Sequence, residues 1–204
     1  VMTGALIPKN FDTILIGKWC KHYNNKQIFT KPNIIINDFH WNNEKKHHHD
    51  YQYLKSLHLK ILKEMAKSLN TCHNEDHSLK YWRMLIDPFL ITYVGVIFDR
   101  WENLKLVLKS NKNIYVKNIS NKNYISPAFD HIQFEKNIHF ELWNHKILIK
   151  IINFAFKDKC KFLNNKLKLK KEKSKFKYSF FSSLNAKIKS LIFDFFLIFS
   201  KNHL

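Results

Sequence analysis

HSLKYWRMLIDPFLITYVGVIFDRWENLKLVL, residues 77 to 108, is the longest apolar, aromatic-rich stretch of the chain, yet it carries His77, Arg83, Asp87, Asp99 and Arg100. A stretch this hydrophobic belongs in a core, where ionised side chains without partners are strongly destabilising. These groups must therefore pair with one another, reach the edge of a cleft, or hold a ligand. Pro88 has no amide hydrogen and its ring clashes with the preceding turn, which predicts a helix over about 78–86, a break or kink, and a longer helix over about 89–108. Leu90, Tyr93, Val94, Ile97, Trp101, Leu104 and Leu108 recur at helical spacing after the break. Asp87 interrupts the apolar run and Asp99 and Arg100 end it, short of the roughly 20 residues of a membrane span.

With 204 residues the chain can build one domain with a substantial core, or part of a larger protein. It starts on Val, which points to a fragment or an alternative start codon. The net charge of +19 would ordinarily indicate a polyanionic partner. Here the abundance of Lys, Asn, Ile, Phe and Tyr, with only 3 Gly and 4 Pro, has the look of an AT-rich genome, and nucleic acid is set aside as a partner. Cys20, Cys72 and Cys160 are widely separated and odd in number, so they read as reduced thiols without metal-ligand spacing. No basic, apolar and small-residue leader opens the chain, so a cytoplasmic location is expected.

Before the central stretch, Thr13–Ile16 closed by Gly17 reads as a buried strand and turn, and Ile34–Ile36 reads as a second short strand. The loops after such strands are where α/β sheets bind ligands, which draws attention to Trp19 and to Asp38, His40 and Trp41. From about Asn43 to Leu69 a helix is predicted, with Tyr51, Leu54, Ile61, Leu62, Met65 and Leu69 as its apolar stripe. His47, His48 and His49 point about 100° apart on that helix, so no metal site is expected from them. Ser78 is placed to cap the next helix. Ile114–Val116 suggest a short strand, and Asp130–Ile152 resume helical character. The reading is α/β and helix-dominated, with few short parallel strands near the N-terminus. Residues 1–156 form the expected domain, 157–183 a lysine-rich linker or solvated helix, and 184–204 an apolar helix that needs a partner lobe.

Four stretches, ILIGKWC at 14–20, NDFHWNNEKKHHHDYQYL at 37–54, LNTCHNEDHSLKYWRMLIDPFLITYVGVIFDRW at 69–101 and ELWNHKILIKII at 141–152, resemble the N-terminal region of a family of bacterial transferases. That family is encoded among surface-polysaccharide, O-antigen and capsule genes. Within the third stretch His77, Ser78, Tyr81, Trp82, Arg83, Pro88, Asp99 and Arg100 sit at the family's spacing, while Lys18 replaces a usual acid and Asp87 a usual Gly. The resemblance implies the Rossmann-like N-terminal lobe of a two-lobed glycosyltransferase, with a C-terminal lobe beyond residue 204. It also implies a nucleotide-activated sugar donor, with no other cofactor evident, and a lipid-linked or glycan acceptor.

Such donors and acceptors carry phosphate, which Arg binds through two parallel hydrogen bonds. Arg83 and Arg100 are accordingly the expected phosphate ligands, with Tyr81, Trp19 and Trp41 as further substrate contacts. His77, Asp38, His40 and Asp99 are the candidates for proton transfer. Two other readings stand beside this one: a non-catalytic basic module that binds nucleic acid or rests peripherally on an anionic membrane at its cytoplasmic face, and an inactive truncated product.

Overall fold

The computed structural model describes residues 12–17, 34–110, 114–117, 128 and 130–163. Trp19, Cys20 and the segments 164–183 and 184–204 lie outside the described residues. Helix dominates: 72% of the described residues are helical, nearly all of them in four α-helices, and the strands are short and parallel. Two compact units are present, and helix α2 contributes to both.

In the first unit β1 (Thr13–Leu15) runs parallel to β2 (Ile34–Ile36), with Thr13 opposite Ile34 and Leu15 opposite Ile36. The Asn37 amide donates to the Leu15 carbonyl at 2.9 Å and extends the ladder by one residue. A second parallel pair joins β3 (Ile114–Lys117) to β4 (Cys160–Leu163). β4 occupies the start of the stretch expected to be linker. Its signal is the alternation of buried Cys160, exposed Lys161 and half-buried Phe162, which the lysines around it obscure. The core of this unit includes Trp101, Leu104, Trp143, Ile147, Ile151 and Phe156, with the Trp101 and Phe156 rings 5.3 Å apart.

The helical character expected over 130–152 is carried by two helices, α3 (His131–Ile138) and α4 (Glu141–Ala155). Asp130 caps α3, its carboxylate accepting from the Gln133 amide at 2.6 Å. The interruption at His139 and Phe140 is satisfied by a side chain. Asn144 Nδ2 donates to the Ile138 carbonyl at 2.7 Å and to the Phe140 carbonyl at 2.9 Å, taking up groups that a helix end leaves open.

The second unit is built on α1 (Glu44–His73) and the first part of α2 (Leu79–Ser110). Leu57, Ile61, Leu62, Met65, Ala66 and Leu69 form the buried stripe of α1. Tyr51, expected on that stripe, is exposed. It precedes Ile61 by ten residues, which at about 100° per residue turns it roughly 80° away. Asn70 holds the connection to α2: its Oδ1 accepts from the His77 amide at 3.1 Å and from the Trp82 indole at 2.7 Å, and its Nδ2 donates to the His77 carbonyl at 2.9 Å. Asn74 turns the chain with φ 54°, a left-handed conformation that Asn tolerates. Ser78 caps α2 as expected, its Oγ accepting from the Tyr81 amide at 3.3 Å.

α2 is one continuous helix through Pro88, so of the expected break or kink the break is excluded. Pro88 has no amide to offer the Met84 carbonyl, and both residues are exposed, where water can take the place of that partner at small cost. The carbonyl of Pro88 itself receives the Thr92 hydroxyl at 3.2 Å. Being unbroken, α2 is by length and composition long and apolar enough to cross a membrane.

Candidate functional site

Parallel pairing of β1 with β2 puts their carboxyl ends at one edge, and the loop leaving β2 carries His40. A turn closed by the Asn42 amide on the Phe39 carbonyl at 3.0 Å folds this loop. His40 lies between aromatic neighbours, its ring centroid 5.0 Å from Phe39 and 4.5 Å from Trp41. Its side chain has no solvent exposure, and its Nε2 meets Asp99 Oδ1 at 3.1 Å.

Asp99 gathers three side chains. Besides His40, Asn103 Nδ2 donates to Asp99 Oδ1 at 2.9 Å and to its backbone carbonyl at 2.8 Å, and Arg100 pairs with Oδ2 through Nη1. Arg100 Nε then donates to Asn144 Oδ1 at 2.7 Å, so the same asparagine that bridges the α3–α4 interruption also orients the guanidinium. Asn103 is fully buried, and Arg100 and Asn144 are nearly so. In this setting a charge is tolerated because its partners are fixed around it. Asp99 is the most accessible of the set, with 14% of its side chain exposed.

Burial pushes the Asp99 carboxyl up, but the His40 hydrogen bond and the Arg100 charge outweigh it and leave the group below the usual aspartate range. A carboxyl whose folded value is depressed stabilises the fold above its unfolded value and loses that contribution as pH falls through the folded one. Stability should therefore drop on acidification below about pH 4. Urea titrations of wild type and Asp99→Asn across that range should show the wild-type slope reduced in the variant. Equal slopes would exclude Asp99 as its source.

The other candidates are distributed as follows. Asp38 is exposed, its backbone carbonyl accepting from Asn37 Nδ2 at 3.2 Å, and its carboxylate is not part of the network. Trp41 is half-buried beside His40. His77, Tyr81 and Arg83 belong to the second unit. There the His77 and Tyr81 rings approach to 3.9 Å between centroids, and Arg83, about half exposed, pairs with Asp87 at 3.4 Å. His58 Nε2 faces the other oxygen of Asp87 at 2.9 Å, off the line of a hydrogen bond. Arg100, expected to reach phosphate, has its guanidinium engaged by Asp99 and Asn144, and there it orients the carboxylate.

Sequence reasoning missed Asn103, Asn144 and His58. A usable signal existed for Asn103, which stands four residues after Asp99 and so on the same helical face. For Asn144 the signal was a polar residue inside the apolar run WNHKILIKII.

A buried His, Asp, Arg and Asn network at the carboxyl edge of a parallel strand pair suits handling of a proton beside a ligand, without itself naming the reaction. Neither the curated proteins nor the solved structures contain a match to this chain. One family model does match, described as LIC12162 family transferase and covering residues 4–204. Its span takes in all but the first three residues of the chain and every residue of the network, and the chain accordingly belongs to the LIC12162 family of transferases.

Proposed function

We propose that this transferase moves a glycosyl group from a nucleotide-activated donor to a lipid-linked or glycan acceptor during assembly of a bacterial surface polysaccharide such as O-antigen or capsule. The observation that carries the reading is the convergence of His40 with Asp99, 59 residues apart in sequence, beside the carboxyl ends of β1 and β2. The resemblance of the four stretches quoted above to polysaccharide-cluster transferases supplies the substrate class, together with a Rossmann-like lobe. A nucleotide-activated donor places the reaction in the cytoplasm.

In such a transfer the acceptor hydroxyl oxygen attacks the anomeric carbon, the bond from that carbon to the donor phosphate breaks, and the hydroxyl proton must leave. In this reading Nδ1 of His40, the ring nitrogen not directed at Asp99, takes this proton; it is buried in the free protein, so the acceptor must displace part of the loop at His40 and Trp41 to reach it. Asp99 then stabilises the imidazolium, while Arg100 and Asn103 hold Asp99 ionised and in place.

Incubating the protein with a panel of nucleoside-diphosphate sugars and a lipid-linked acceptor extract, and following nucleotide release, tests the reading. Acceptor-dependent release with at least one donor is expected. Folded protein that releases nucleotide from none of them would contradict it.

A further inference from the structure

The outward face of α2 in the second unit carries no charge. At about 100° per residue, Tyr81, Met84, Leu85, Pro88, Ile91 and Gly95 fall in one sector, opposite the buried Leu90, Tyr93 and Ile97. Met84 is 74% exposed, Ile91 59% and Leu85 58%, so three large apolar side chains project from this sector into solvent. A Cβ added at Gly95 would meet nothing within 4 Å. The hydroxyl of Thr92, at the edge of the sector, is bonded back to the Pro88 carbonyl. An ordinary surface helix presents charged and polar groups on its outer face, and this one presents them only on its flank, at Lys80 and at the ion-paired Asp87 and Arg83.

We infer that this face of α2 rests on an anionic bilayer, with Met84, Leu85 and Ile91 entering the acyl boundary and Lys80 at the headgroups. Charge selects this occupant. A chain of net charge +19 repels a second copy of itself and is drawn to an anionic lipid surface. Composition agrees, because the segment is apolar enough for lipid while only 33% of its most apolar window is buried within the protein. Insertion is shallow: the Met84 carbonyl, deprived of its partner by Pro88, requires water or a headgroup donor, which the hydrocarbon core does not offer. Tyr81, aromatic with a polar tip, suits the same boundary. The inference is independent of the glycosyl-transfer reading.

The test is sedimentation of the full chain with vesicles of equal parts phosphatidylglycerol and phosphatidylcholine near physiological salt, beside the double variant Met84→Asn and Ile91→Asn. The substitutions leave net charge unchanged and lie on exposed positions, so the thermal transition should be preserved. The variant is expected to bind at least about tenfold more weakly. Equal binding of the two proteins would overturn the inference and assign vesicle attachment to another segment or to charge alone. Failure of the wild type to bind would overturn it too, as would a wild-type dimer that the variant converts to monomer without any difference on vesicles.

Discussion

Arg100→Met is expected to destabilise the protein by about 3–5 kcal/mol, the cost of removing one partner from a buried ion pair. Methionine fills much of the volume of the arginine stem, so the loss comes from the groups left behind. Asp99 Oδ2 loses its guanidinium, and Asn144 Oδ1 loses the donor that faces it at 2.7 Å. Urea denaturation should show a lower midpoint with an unchanged slope, since the surface exposed on unfolding is the same. Adding Asp99→Asn to Arg100→Met should recover part of the stability, because the stranded charge is then gone. A loss below about 1 kcal/mol would mean that the pair is solvated, in the range of surface ion pairs.

The second large effect is on turnover. His40→Gln keeps a side-chain N–H that can donate to Asp99 but removes the basic nitrogen, so it separates support of the network from proton transfer. A positioned general base contributes about 10²–10⁴ in rate, and turnover should fall by that factor while the urea midpoint moves little. A variant with wild-type turnover would leave the His40–Asp99 contact as a structural hydrogen bond.

Much of this arrangement was legible in the sequence because hydrophobic periodicity dictates it. The stripes of α1 and α2 recur at helical spacing over 30 and 32 residues, long enough for the pattern to dominate. The Thr13–Leu15 and Ile34–Ile36 strands stood out as β-branched runs between turn residues. A break at Pro88 does not occur because its local penalty is small at a position facing water, and the packing of Leu90, Tyr93 and Ile97 on the opposite face keeps the helix whole. The α3–α4 interruption was hidden in the sequence. No Pro or Gly marks it, and it is held by a tertiary element, the Asn144 amide.

The candidate site was half legible. His40, Asp99 and Arg100 attracted attention as polar groups next to strand ends or inside apolar sequence, and the structure brings those three together. Asn103 and Asn144 were hidden by composition: in a chain crowded with asparagine, a buried one looks like the rest. Which residues converge depends on pairing across long sequence separations. Nothing in local pattern distinguished Arg100, engaged on both sides, from Arg83, half open to solvent.

The most direct measurement on the central claim is a double-mutant cycle in turnover, comparing His40→Gln, Asp99→Asn and the two combined on a donor that the wild type accepts. Residues acting as one proton-transfer unit are strongly non-additive, so the double variant should be about as slow as His40→Gln alone. Rate losses that multiply across the two substitutions would show that His40 and Asp99 act separately, and would contradict the assignment of this pair as the catalytic base.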